Sequence, residues 1–132
     1  MMLQVIKPDG EFYKGEVTMV EFTSTDGDLG IYPKHIPVTT GIAPGILKIH
    51  EEGGVKEAAL LSGFVQILPD QVTILAESCE WPDEIDAVRA NEAKIRAERR
   101  LKDLNGEVDM ERAENALQRS EVRLSMAKDN KK

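Results

Sequence analysis

Arginine is the residue whose placement most suggests chemistry in this chain. All seven arginines fall between Asp83 and Lys132. Arg89 and Arg96 stand seven residues apart, Arg112 and Arg119 repeat that interval, and Arg123 follows four later. On helices each set lines one side as a basic stripe. Guanidinium forks grip phosphates and carboxylates in a bidentate manner, so such a stripe suits a polyphosphate or the acidic surface of another protein. Asp86 precedes Arg89 by three and Glu92 precedes Arg96 by four, giving ordinary surface pairs of about 0.2–0.5 kcal/mol. The plain alternative is a solvated charged face. Arg119 and Arg123 are a like-charge pair, unfavourable by a similar amount on an isolated helix, which argues for an external anion.

Other reactive residue types are sparse. His35 and His50 have no second histidine or cysteine beside them in sequence, so hydrogen-bonded structural roles are expected. Cys79 is the single cysteine; it has no disulfide partner within the chain and reads as strand filler. There is no Gly-Lys-Ser/Thr phosphate loop, dinucleotide glycine fingerprint or nucleophile elbow. A non-catalytic role is expected, with no metal site. The net charge of −7 opposes a nucleic-acid partner, because phosphates are repelled at long range. No apolar run approaches the roughly 20 residues that span a bilayer, and the beginning of the sequence lacks a signal-peptide pattern. A cytoplasmic chain without membrane insertion is expected.

The elements that must position these residues change type at one point. Up to Pro82 the chain carries 12 acidic and 5 basic residues, nine of the ten glycines and all six prolines; beyond it there are 12 of each charge. Two domains are expected, 1–82 and 83–132. In the first, short apolar stretches alternate with turn residues as in an all-β sandwich or barrel. The expected strands are Leu3–Lys7, Glu16–Thr23, Pro37–Ile42, Ile46–His50, Val55–Leu61, Phe64–Leu68 and Val72–Glu77. In the last, Val72, Ile74 and Ala76 share one face. In Glu16–Thr23 the apolar positions change parity between Met19 and Val20, suggesting a bulge or burial on both faces. The segment Gly27 to Pro37 holds two glycines and two prolines with apolar Leu29, Ile31 and Ile36. It reads as a stiff, ordered loop, either a docking surface or a packed connector.

Beyond Pro82, Asp86 is placed to cap a helix, and Ala90, Ala93, Ala97, Leu101 and Leu104 recur at helical spacing before Asn105-Gly106 stops it. A second helix begins near Asp109 and carries Met110, Ala113, Leu117, Ser120, Leu124 and Ala127 in steps of three and four. The pair forms an antiparallel hairpin with a seam of small residues. Each alanine in place of a large side chain forgoes about 1–2 kcal/mol of burial, so the hairpin is either permanently packed or weakly held and able to open.

Taken together, these features resemble the epsilon subunits of the F-type rotary ATP synthases over essentially the whole chain. Members carry a Gly-Glu-Leu-Gly-Ile-Leu/Tyr-Pro-Gly-His-Ala-Pro loop, matched by Gly27 to Pro37, with Asp28, Lys34 and Ile36 as departures. They also carry Gly-Phe-Val and Val-Thr-Ile-Leu-Ala elements, matched by Gly63-Phe64-Val65, after Ser62 in place of a common glycine, and by Val72 to Ala76. The helix-start pattern Ile/Leu-Asp-x-x-Arg-Ala is matched by Ile85 to Ala90.

The resemblance implies a flattened β-sandwich of about ten strands followed by a two-helix hairpin. It implies a non-catalytic rotor subunit of the central stalk, bound to the gamma subunit and the ring of c subunits on the cytoplasmic side of the cell inner membrane, in a proton- or sodium-translocating complex. Asp28, Leu29, Ile31 and His35 would face the ring and gamma. The tail would extend toward the catalytic alpha and beta subunits to inhibit ATP hydrolysis, with Arg112, Arg119 and Arg123 facing beta. In its compact state the hairpin would bind regulatory ATP, with or without magnesium, through Glu80, Asp86, Arg89, Arg96, Arg119 and Arg123; no cofactor is required. A stand-alone nucleotide sensor and a coiled-coil adaptor are the rival readings.

Overall fold

The computed structural model describes residues 1–102 and 110–130, with side chains through Ala127. Eight strands come first: β1 Met2–Lys7, β2 Gly10–Glu16, β3 Met19–Ser24, β4 Gly27–Ile31, β5 Val38–Ile42, β6 Gly45–Glu51, β7 Gly54–Ile67 and β8 Gln71–Glu80. A single 3-10 turn, Pro82–Glu84, leads to helices α1 Ala87–Lys102 and α2 Met110–Asn130. One compact unit covers Met1–Glu80 and a second begins at Trp81.

The strands form a β-sandwich because β7 and β8 serve both layers. The first half of β7 pairs with β6 and its second half with β5. β8 lies between β7 and β1, parallel to the latter through Met2↔Gln71 to Ile6↔Leu75. A single bridge, Ser24↔Ile42, joins β3 to β5 on the other side. The period-two pattern fills the interior: Leu3 and Val5, Val20 and Phe22, Leu47 and Ile49, Val65 and Ile67, and Val72 and Ile74 are all at most 2% exposed.

The bend in β7 explains why two strands were expected where one exists. Register shifts fall between Leu60 and Ser62 and between Ser62 and Gly63. Gly63 has φ +136, and a β-carbon there would collide with the Leu75 carbonyl oxygen and lie 2.9 Å from the Ala76 α-carbon. Only glycine tolerates both the conformation and the approach. Counting the halves of β7 and β8 separately turns eight strands into the ten implied by resemblance.

Three local expectations are corrected. β2 was not expected, because Gly10-Glu11-Phe12-Tyr13-Lys14-Gly15-Glu16 shows little alternation; it is an edge strand that buries only Tyr13. The parity change between Met19 and Val20 reflects neither a bulge nor two-sided burial but a turn just before it: Glu16 ends β2, the Val17 N–H bonds the Met1 carbonyl, and β3 starts at Met19, so Val17 and Met19 do not share a strand. Gly27 to Ile31, expected as loop, is the strand β4, paired antiparallel with β3 from Ser24↔Gly27 to Val20↔Ile31. Its turn is built by Ser24, whose Oγ donates to the Gly27 carbonyl at 2.7 Å and accepts the Asp26 N–H at 3.1 Å.

In the second unit, Glu84 Oε1 accepts the Trp81 N–H at 2.8 Å and the Trp81 carbonyl accepts the Glu84 N–H at 3.0 Å. Asp86 then caps α1: its Oδ1 accepts the Arg89 N–H at 3.0 Å while its carbonyl accepts that of Ala90 at 3.0 Å. α2 packs on α1 and on the 3-10 turn that precedes it, so it runs back along α1. The buried seam positions are Ala90 and Ala97 on α1 and Ala113, Ser120 and Ala127 on α2, each set at sevenfold spacing; Met126 is buried beside them. Of the bulkier residues expected at the seam, Met110 is exposed and Leu101, Leu117 and Leu124 are half-buried. Leu104, Asn105-Gly106 and Asp109 lie outside the described residues.

Candidate functional site

Arg89 and Arg96 occupy the third and tenth positions of α1, two turns and about 10 Å apart along its axis. Arg112, Arg119 and Arg123 repeat that rise on α2 and add one turn. At about 100° per residue, each arginine lies roughly 60–110° from its own helix's buried seam, always on the same rotational side. Antiparallel helices related by a two-fold perpendicular to their common plane keep that side, so both stripes line one face of the hairpin. Arg89, Arg96 and Arg112 are exposed on it, and Arg119 and Arg123 are half-buried. Among the described residues, the guanidinium groups of Arg89, Arg96 and Arg119 form no ion pair.

Asp86 stands at the start of this face, but its Oδ1 is used as the cap of α1. The carboxylate thus fixes where the helix begins and hence where Arg89 projects. Glu80 closes β8 in the first unit. The arrangement on the hairpin offers converging, charge-assisted donors to an extended polyanion.

The segment from β4 to β5 is the second place of interest. Asp28 accepts a hydrogen bond from Thr23 Oγ1 at 2.8 Å, and Leu29 is 36% exposed. Ile31, expected on the contact surface, is 1% exposed because the inward parity of β4 puts it in the core. His35 donates from Nδ1 to the Ile36 carbonyl at 2.7 Å. Tyr32, not singled out in the sequence, is 60% exposed, and Ile36, noted there only as an apolar residue of the loop, is 76% exposed; both are apolar types beside a proline. Lys34 adopts φ 68, and its N–H bonds the Pro69 carbonyl at 2.7 Å, tying this segment to the turn before β8.

A third surface was not legible in the sequence. Phe64 on β7 and Leu75 on β8 are directly paired and more than half exposed, and Ile6 on β1 pairs with Leu75 on its other side. The neighbouring row, Gln4, Thr73, Gln66 and Thr39, carries no charge. An uncharged apolar row on an exposed sheet face has the composition of a docking surface.

The remaining polar clusters hold the sandwich together. His50 Nε2 lies 2.6 Å from Glu21 Oε2 across β6 and β3. Tyr13 donates to Glu51 Oε2 at 2.5 Å, and Lys56 Nζ lies 3.4 Å from Glu51 Oε1. Burial, reinforced by the Glu51 carboxylate, pushes the Tyr13 phenol up to about 12; the same bond holds Glu51 below its ordinary value. Cys79 is buried, as expected of a strand residue. Among the described residues no cluster could hold a metal ion, and no helix is long and apolar enough to cross a membrane.

Known proteins match both units. Residues 1–82 match the family described as the ATP synthase Delta/Epsilon chain, beta-sandwich domain, and residues 83–128 match its long alpha-helix domain. The ATP synthase epsilon chain of an Exiguobacterium species is 47% identical over 94% of this chain and 93% of its own. That of Halalkalibacterium halodurans is 44% identical over 95% of both. Among solved structures, a chain of the Euglena gracilis mitochondrial ATP synthase superposes with TM-score 0.81 at 24% identity, covering 96% of this chain and 80% of that one. A chain of the Tetrahymena thermophila mitochondrial ATP synthase central stalk and c-ring gives 0.62 at 16% identity, covering 100% and 96%; these two likenesses establish the fold. With both units and the full sandwich-to-hairpin order matched, the chain belongs to the ATP synthase delta/epsilon chain family.

Proposed function

We propose that the chain serves as the epsilon subunit of an F-type ATP synthase, a non-catalytic part of the central stalk on the cytoplasmic side of the cell inner membrane. It links the gamma subunit to the ring of c subunits and restrains ATP hydrolysis through its C-terminal hairpin. The observation that carries this reading is the 47% identity, over 94% of the chain, to a protein named ATP synthase epsilon chain. Two surfaces support it: the apolar end formed by Leu29, Tyr32 and Ile36, and the uncharged sheet face around Phe64 and Leu75. The first offers a seat for the ring and the second for gamma. The shared arginine face supports regulatory ATP binding by the folded hairpin, through Arg89, Arg96, Arg119 and Arg123, with Asp86 capping the helix that presents the first pair. ATP would favour that compact state by its greater affinity for it.

A seam of alanine and serine buries little area, which suits a hairpin that must leave its partner helix and extend toward the catalytic subunits. Purification of the complex from its native membrane tests the reading, since this chain must travel with gamma. Recovery only as a separate protein would instead support a stand-alone sensor or a coiled-coil adaptor.

A further inference from the structure

We propose that Lys34 is a charge anchor whose ammonium group pairs with a carboxylate on the protein surface that docks against this end of the sandwich. The inference rests on the rotor reading, in which that surface belongs to the ring of c subunits. Three observations lead to it.

The first is backbone strain. Lys34 is the single non-glycine residue with positive φ among the described residues, at 68°. Side chains bearing a β-carbon are disfavoured there, and glycine would satisfy the same turn without strain. The turn is held by the Lys34 N–H to Pro69 carbonyl bond, which needs no side chain. What lysine adds to the position is therefore its ammonium group.

The second is the company it keeps. Tyr32 and Ile36, two residues to either side, are 60% and 76% exposed, and Leu68, on the turn that Lys34 holds, is 39% exposed. A partner covering those apolar groups strips water from the cation between them. A desolvated charge requires a counter-charge.

The third is the state of the other lysines in the first unit. Lys7 lies over the Phe12 ring at 5.5 Å, and Lys56 lies near Glu51 and over the Tyr13 ring. Lys48 stands in register between Glu21 and Glu57, and Lys14 sits on the edge strand β2. Lys34, like Lys14 and Lys48, forms no ion pair among the described residues, but it alone of these stands between exposed apolar groups and has no carboxylate opposite it in a strand register. The same unit carries twelve acidic and five basic residues, so an anionic bilayer is repelled and one lysine attracts it only weakly. A protein carboxylate is the better match.

The test is rebinding of the purified full-length chain to membranes whose ATP synthase has been stripped of this subunit. Wild type, Lys34→Gly and Lys34→Glu are compared at low and high salt, with protein-free phosphatidylglycerol vesicles as a parallel arm. Lys34→Gly is expected to melt a few degrees higher than wild type, as strain is relieved. It should nevertheless rebind about threefold to tenfold more weakly at low salt, Lys34→Glu more weakly still, and the differences should shrink at high salt. Its raised melting temperature separates lost binding from lost folding. Rebinding of both variants at wild-type strength would overturn the anchor while leaving the rotor reading intact. Capture of wild type by the protein-free vesicles as strongly as by stripped membranes would overturn it in favour of a lipid headgroup. Absence of any wild-type rebinding would overturn the rotor reading and the anchor with it.

Discussion

Tyr13, Gly63 and Asp86 show how single residues hold this chain in shape. The phenol of Tyr13 is raised to about 12, so its protonated form is favoured by folding. Stability from this group is present below about pH 10, the ordinary tyrosine value, and is lost as pH rises toward 12. Tyr13→Phe should therefore flatten the pH dependence of urea unfolding between pH 10 and 12, while lowering stability at neutral pH by about 1–2 kcal/mol for the lost bond to a carboxylate. Gly63 combines positive φ with contact against the β8 backbone. Gly63→Ala is expected to cost more than about 2 kcal/mol in the same assay. Asp86, a candidate ligand residue, has a structural role as the cap of α1. Asp86→Asn preserves the cap and should leave the hairpin's melting nearly unchanged, whereas Asp86→Ala should weaken it by about 1 kcal/mol, read by far-ultraviolet circular dichroism.

Among the elements, the hairpin carries the basic face proposed as the regulatory site. Its seam is alanine and serine at sevenfold spacing, so close approach rather than buried bulk holds the helices together. If the basic face is an ATP site, titration of ATP into the isolated protein gives saturable heat that Arg89→Ala or Arg119→Ala reduces strongly; equal heats in all three proteins would reject the site. These two arginines are chosen because one comes from each helix, so the test also reports whether both stripes act together. Ser120→Leu overpacks the seam and should destabilise the compact hairpin by about 1–3 kcal/mol, with an accompanying fall in ATP hydrolysis by the assembled complex if the extended tail is the inhibitory state.

For the molecule as a whole, the proposed function assigns assembly to the part before the boundary near Trp81 and regulation to the part after it. The first unit has its own buried core from β1 to β8. A chain ending at Trp81 should fold, assemble with gamma, and raise ATP hydrolysis by the complex. Unchanged hydrolysis would count against an inhibitory tail, and failure to assemble would count against the sandwich as the docking part.

Local patterns were enough to reveal much of this organisation. The period-two runs in β1 and β8, the Asp86 cap, the switch from glycine and proline to arginine, and the basic stripes could all be read from neighbouring residues, because propensity and periodicity act over a few positions. Spacing along one helix also determined which side each arginine takes. What only the tertiary structure decided depends on contacts between distant segments. β2 has too few buried residues to announce itself and exists because β1 offers it an edge. The segment Gly27 to Ile31 reads as loop by composition and becomes strand through pairing with β3, which turns Ile31 inward and leaves Leu29 at the surface. The Phe64 and Leu75 row arises from the register of β7 on β8. Strain at Lys34 appears only where its amide meets the Pro69 carbonyl. Long-range pairing selects among conformations that local propensity leaves open, so the elements were legible in the residues while the surfaces they present were not.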